Sequence, residues 1–195
     1  MKRLQLAVIG SGKGSNFASI LQAIGSGQLA ADVRLVAADD PDAGILDLAR
    51  SAGIETHLID EPRFKTILSP GTEAILAERI RVTAVDLIVL AGYMRVVKSP
   101  LLDAFPKRII NIHPSLLPSF RGLTAWQQAL DAGVQETGCT VHWVDAGVDT
   151  GEILAQSYVS VLPDDTAASL HARIQVAEHA LYPRILQTLA EEWVS

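Results

Sequence analysis

Asn111 and His113 stand one residue apart, after the apolar pair Ile109 and Ile110 and ahead of Pro114 and Pro118. Side chains alternate faces along a strand, so a carboxamide and an imidazole at this spacing point the same way. Further on, Asp149 lies in the turn-like run Val148-Asp149-Thr150-Gly151. An Asn, a His and an Asp brought together can activate an amine, hold an oxyanion and move a proton. Each has a plainer reading when taken singly. His113 can be a satisfied buried histidine beside a turn-forming asparagine, and Asp149 can be ordinary turn chemistry. The acidic run from Asp145 to Glu152 raises calcium, but its spacing does not follow an EF-hand loop.

A second group could hold an anion. Gly10-Ser11-Gly12-Lys13-Gly14-Ser15-Asn16 separates an apolar run from a stretch of helical spacing. It is not a Walker A loop, because Gly14 follows Lys13 where Ser or Thr is required, and the dinucleotide fingerprint fails at Ser15. Glycines still allow close backbone approach, and free amides opening a helix favour a phosphate. The alternative is a plain tight turn capped by Ser15 or Asn16. Gln175 and Glu178 fall three apart on one face of a helical segment, which alone suits a solvated face. His171 and His179 read as ordinary helix-surface histidines. After the most apolar strand, Arg95 could pair with an acidic substrate group while Met94 and Val97 line an apolar slot, and a place at the edge of the core suits these residues equally.

These residues must be positioned by alternating strands and helices. Short apolar runs predict strands at 4–9, 33–38, 56–59, 86–91 and 108–112. Helical spacing predicts helices at 16–24, 45–52, 73–82, 101–105 and 124–132, with 62–70 as loop. Residues 139–144 and 153–161 read as paired strands, and 166–189 as a long helix that Pro183 breaks or kinks. The expectation is an α/β fold: a doubly wound, mostly parallel sheet with an antiparallel C-terminal strand pair and a long C-terminal helix. Its ligands would sit at the carboxyl ends of the strands.

Composition narrows the function classes. At 195 residues, 49% hydrophobic and 19% charged, the chain can bury one real core. A net charge of −6 argues against nucleic-acid partners and against an anionic membrane surface. Cys139 is the only cysteine, so no intrachain disulfide or cysteine zinc cluster can form, and a reducing, cytoplasmic setting follows. The apolar run 4–10 is too short for a signal sequence or a membrane span and reads as the first strand.

Taken in order, the motifs resemble the phosphoribosylglycinamide formyltransferases, or GAR transformylases, of the folate-dependent formyltransferase superfamily. The resemblance runs from about Leu4 to Leu189. Its specific pieces are Gly14-Ser15-Asn16, the run from Asn111 to Pro118, Gly138-Cys139-Thr140-Val141-His142, Asp149-Thr150-Gly151, and Glu178-His179-Ala180-Leu181-Tyr182-Pro183. It implies a single domain over 1–195, Rossmann-like, with a nucleotide-phosphate half to about residue 100 and a catalytic, folate-binding half beyond it.

The implied reaction transfers the formyl group of 10-formyltetrahydrofolate, a cosubstrate, to the amine of glycinamide ribonucleotide, a step of purine biosynthesis that needs no metal. The resemblance implies that Gly14, Ser15 and Asn16 hold the phosphate, Glu178 meets the ribose hydroxyls, and Gln175 lies nearby. It implies Asn111, His113 and Asp149 as the catalytic group, with Asp149 favouring a charged His113. Met94, Arg95, Val96 and Val97, with Val144, Asp145, Ala146, Gly147 and Val148, would border the folate. The protein would be a monomer or a homodimer with small-molecule partners only. Relatives often carry Asn at Lys13 and His at Trp126, and both departures fall near the expected substrate.

The rival readings are a related formyltransferase acting on an amino sugar nucleotide, methionyl-tRNA or water, and a non-catalytic nucleotide-phosphate module. The tRNA and water-using enzymes are expected to need a further domain, for which this chain leaves no room.

Overall fold

The computed structural model describes residues 3–61 and 66–194. Seven strands form one sheet: β1 (Leu4–Ile9), β2 (Ala31–Ala38), β3 (Glu55–Leu58), β4 (Leu87–Leu90), β5 (Ile109–His113), β6 (Glu136–Trp143) and β7 (Ile153–Ser160). Their order is β3-β2-β1-β4-β5-β6-β7. The pairs β3/β2, β2/β1, β1/β4 and β4/β5 are parallel, and β5/β6 and β6/β7 are antiparallel. The expected mostly parallel sheet with antiparallel C-terminal strands is thus present.

Among the described residues there are six helices: α1 (Ser15–Gly25), α2 (Gly44–Ser51), α3 (Pro70–Arg81), α4 (Ser99–Ala104), α5 (Ala125–Asp131) and α6 (Ala167–Val194). Apolar side chains pack on both faces of the sheet. α1 and α6 share one core with Leu6, Val8, Leu87 and Val89, while α3 and α4 share the other with Ala7, Ile9, Ile88 and Ile109. Adjacent residues of β1 and β4 thus feed opposite cores, which is why these strands read as continuous apolar runs.

Two expectations change. α3 begins at Pro70, inside the stretch read as loop, because Ser69 caps it with its hydroxyl on the Thr72 amide and Pro70 suits the first turn. Residues 66–69 are non-helical, as expected, with Ile67 forming an isolated bridge to Val96, and 62–65 lie outside the described residues. Of the break or kink expected at Pro183, the break does not occur: α6 runs through it to Val194. The proline removes one backbone donor, but buried Leu181, Tyr182, Leu186 and Leu189 hold the helix on the sheet on both sides of it.

The strand order reverses at β1 and β4: the chain leaves β1 towards β2 and returns to pair β4 on its other edge. In such sheets this switch point opens a crevice at the carboxyl ends of the strands. Here two glycines shape it. A Cβ on Gly10 would lie 2.6 Å from the Ala91 carbonyl oxygen. Gly14 is left-handed at φ 78°, and a Cβ there would lie 2.9 Å from Cα and Cβ of Ile45. Gly14→Ala therefore meets both backbone strain and the α2 backbone. We expect it to lower unfolding free energy by roughly 1–3 kcal/mol, measured by denaturant unfolding, so a bulky residue at 14 reports on the fold before it reports on ligand affinity.

Candidate active site

A cleft of about 410 Å³ opens at this switch point. It is lined by Gly14, Ser15 and Asn16 after β1, by Met94, Arg95, Val96 and Val97 after β4, and by Asn111 and His113 of β5. Val144, Asp145, Gly147, Val148 and Asp149 come from the β6–β7 loop, and Gln175 and Glu178 from α6. Of the site residues expected from sequence, only Ala146 does not line it. Residues 1–100 and 101–195 therefore both contribute to one cavity.

The loops are cross-linked. Ser11 donates its amide to the Gly92 carbonyl at 3.0 Å, and the Ser11 hydroxyl accepts the Met94 amide at 3.0 Å. Arg95 borders the cleft with its guanidinium paired to Asp39 and donating to the Ile67 carbonyl. That internal partner, unforeseen in the sequence, makes Arg95 a brace between the ends of β2 and β4. Above them, the buried Tyr182 hydroxyl reaches the Leu90 carbonyl at 3.0 Å and the Ile110 carbonyl at 3.3 Å. This contact fixes the register of α6 on the sheet, and Glu178 lies one turn away.

Glu178 is 5% exposed and accepts a hydrogen bond from Asn16 Nδ2 at 2.9 Å. Burial pushes its carboxyl up to about 7, against the opposing effect of the Asn16 bond. Asn16 Oδ1 is buried without a protein partner. Asn16 thus joins the opening of α1 to the acidic group on α6. The solvated-face reading of Glu178 fails, because the sheet and α1 cover that side of α6.

At the other end of the cleft, His113 Nε2 lies 2.8 Å from the Phe120 carbonyl oxygen, and its Nδ1 lies 3.3 Å from Asp149 Oδ2. A carbonyl can only accept, so Nε2 carries hydrogen and Nδ1 is the atom that exchanges a proton. Burial depresses the imidazole pKa, outweighing the upward pull of Asp149 and of the Phe120 carbonyl. Asp149 thus favours the charged ring, as expected, but burial is the larger effect and shifts the imidazole towards its neutral form. Burial also opposes ionisation of Asp149, but the neighbouring His142 and His113 imidazoles and the Gly122 amide outweigh it. They hold the carboxyl below the ordinary carboxylate range. Asp149 takes a left-handed φ of 50°, a conformation that aspartate tolerates, and it accepts the Gly122 amide at 2.9 Å.

His142 had no assigned role. It pairs with Asn111 across β5–β6, so both side chains share a face. Its Nδ1 donates to the Trp143 carbonyl at 2.8 Å, its Nε2 lies 3.3 Å from Asn111 Nδ2, and that same Nε2 lies 3.6 Å from Asp149 Oδ1. The residue stands in the quoted Gly138–His142 motif, but its partner depends on an antiparallel register that spacing does not reveal. His171 is no ordinary surface histidine either. It stacks on Trp126 with ring centroids 3.7 Å apart and lines the cleft.

Chemically, the cleft offers helix-opening amides and Lys13 at one end, a buried carboxyl beside them, and an amide–imidazole–carboxylate cluster at the other. Comparison with known proteins agrees. The Formyl transferase family model matches residues 4–186. The chain is 38% identical over 95% of its length to phosphoribosylglycinamide formyltransferase of Bacillus subtilis, covering 94% of that protein. It is 44% identical to the trifunctional purine biosynthetic protein adenosine-3 of Drosophila melanogaster over 96% of this chain, but it spans only 14% of that relative. Glycinamide ribonucleotide transformylase 1 of Symbiobacterium toebii has a crystal structure that superposes with a TM-score of 0.92 at 44% identity, covering 97% of this chain and 89% of that one.

Proposed function

The chain belongs to the formyl transferase family, in its phosphoribosylglycinamide formyltransferase branch, and on that premise we propose that it moves the formyl group of 10-formyltetrahydrofolate to the amine of glycinamide ribonucleotide. One observation carries the reading: a single cleft joins the α1 opening, Glu178 and the Asn111–His113–Asp149 cluster. A phosphate fits the amides of Gly14, Ser15 and Asn16, with Lys13 adding charge. Ribose hydroxyls fit Glu178, with Gln175 one turn earlier on α6. The exposed Met94 and Val148 flank the mouth where a flat pterin would enter, beside Val96, Val97 and Val144.

The amine attacks the formyl carbon, and charge grows on the formyl oxygen. Asn111 Nδ2 has a second N–H beyond the one facing His142, and it donates to that oxygen. Loss of one such donor costs about 2.7–4 kcal/mol. As the new C–N bond forms, the amine's proton passes to His113 Nδ1, directly or through water. The imidazolium then donates towards Asp149, so the carboxylate stabilises His113 most after the proton has arrived, which lowers the barrier rather than the ground state. Cleavage of the old C–N bond returns the proton to the departing folate nitrogen.

These roles come from one chain, so the site is complete in a monomer or a homodimer. No helix of the described residues is long and apolar enough to cross a membrane. A cytoplasmic setting suits the buried Cys139, whose thiol burial pushes up to about 12.

The test is turnover, followed by folate absorbance, with glycinamide ribonucleotide and with an amino sugar nucleotide as competing amine. We expect product with the first only, and the same rate after chelation. Turnover of the sugar nucleotide alone would overturn the substrate. Activity lost to a chelator and restored by a divalent ion would overturn the metal-free mechanism.

A further inference from the structure

We infer that Trp126 is a positioning residue: stacked on His171, its indole ties α5 to α6 and so seats the 120–124 loop against His113 and Asp149. The inference rests on the catalytic reading of those two groups. The loop carries three left-handed residues, Phe120 at φ 56°, Gly122 at φ 80° and Thr124 at φ 54°. Non-glycine residues persist in that region only where their surroundings over-determine them. From this strained stretch come the Phe120 carbonyl on His113 Nε2 and the Gly122 amide on Asp149 Oδ2.

α5 carries the loop with it. Gln128 donates to the Arg121 and Leu123 carbonyls, each at 3.0 Å. Yet α5 has seven residues and no side-chain cap, and its buried members are only Ala125 and Ala129. Trp126 supplies the larger surface, packed against the core and lying flat on His171 with 8° between the ring planes. His171 stands four residues before Gln175 and seven before Glu178, on the cleft-facing side of α6. Leu130 adds a second apolar contact from α5 to the core, but the Trp126–His171 stack is the one that joins the helix bearing the acidic group to the loop that orients the proton-transfer pair.

The test compares Trp126→Ala, Trp126→Phe and His171→Ala in the full chain, by kinetics and by NMR titration of His113. The groups facing His113 are Asp149, His142 and the Phe120 carbonyl. Unseating the loop removes the Phe120 carbonyl, which raises the His113 pKa, and admits water, which relieves the larger depression by burial, so a displaced loop moves the His113 midpoint away from its wild-type position. Trp126→Ala should lower kcat about tenfold or more while the nucleotide KM stays within about twofold, as expected for misplaced catalytic groups. The His113 midpoint and the acid limb of activity should move together, in the same direction and by the same amount. Trp126→Phe, which keeps a flat ring, should recover most of both. His171→Ala should act in the same direction, with losses that do not add in the double variant.

An unmoved His113 midpoint overturns the inference, even if kcat falls. A raised nucleotide KM with kcat intact also overturns it and makes the stack a wall of the nucleotide site instead. Should Trp126→Ala fail to fold in a thermal melt, His171→Ala carries the same measurement from the other partner. The titration needs no turnover. An inactive wild type with a shifted midpoint in the variant would refute the formyl-transfer reading while leaving the positioning role standing.

Discussion

Replacing His113 with alanine is expected to lower kcat by roughly 10²–10⁴-fold, the range for a positioned acid–base group. Asp149→Ala should fall in the same range, and the two losses should not add. Asp149 Oδ2 faces His113 Nδ1 at 3.3 Å, so without the ring the carboxylate has no imidazolium to stabilise. A double variant no slower than His113→Ala identifies one coupled unit. Fully additive losses would assign Asp149 to another task, such as shaping the 145–149 loop. The pH profile carries the sign. Only the neutral ring accepts a proton, so activity should rise with pH through a His113 midpoint that burial holds below the ordinary imidazole range. Asp149→Asn removes the anion that raises that midpoint, so the acid limb should move to still lower pH. A limb moving upward would contradict the base role of His113. A well-folded His113→Ala protein with near-normal turnover would remove the active site proposed here.

The parts legible in the sequence were those governed by local patterns. The two-residue alternation that places Asn111 and His113 on one face survives in β5, and the apolar runs at 4–9 and 86–91 became β1 and β4. The loop after β1 opens α1 as its glycines suggested. What stayed hidden depends on long-range register. His142 joins the site because β6 runs antiparallel to β5 and sets it opposite Asn111. Glu178 meets Asn16 across 162 positions of chain, and helical spacing alone made Glu178 look solvated. Arg95 read as a partner for an acidic substrate group because nothing in its neighbourhood announced Asp39, which reaches it from the end of β2. Ser69 and Pro70, by contrast, were a readable helix start that the surrounding loop-like composition obscured.

Glu178→Gln is expected to separate binding from stability, with opposite signs. Burial has pushed the folded carboxyl up to about 7, well above its ordinary 4.5. Between these values the folded chain keeps a proton that the unfolded chain releases. The stability linked to Glu178 is therefore fully present below about 4.5 and is lost as pH rises through about 7. Glutamine does not titrate and can still accept from Asn16 through its carbonyl. The variant should match the wild type near pH 4.5 and become more stable by on the order of 1–3 kcal/mol by pH 8. Thermal or denaturant unfolding across that range measures the gap, and a gap that stays flat would mean that Glu178 does not titrate there. Ribose hydroxyls, however, donate to a carboxylate far better than to an amide, whose nitrogen cannot accept. Hydrogen bonds to a charged group contribute about 1.5–3 kcal/mol, so the nucleotide KM should rise about 10–100-fold while the folate KM stays near the wild-type value. In the wild type, nucleotide affinity should strengthen as pH rises through the Glu178 midpoint, a component that the glutamine variant lacks. A variant that binds nucleotide as tightly as the wild type would take Glu178 out of the substrate site and leave it a buried acid held only by Asn16.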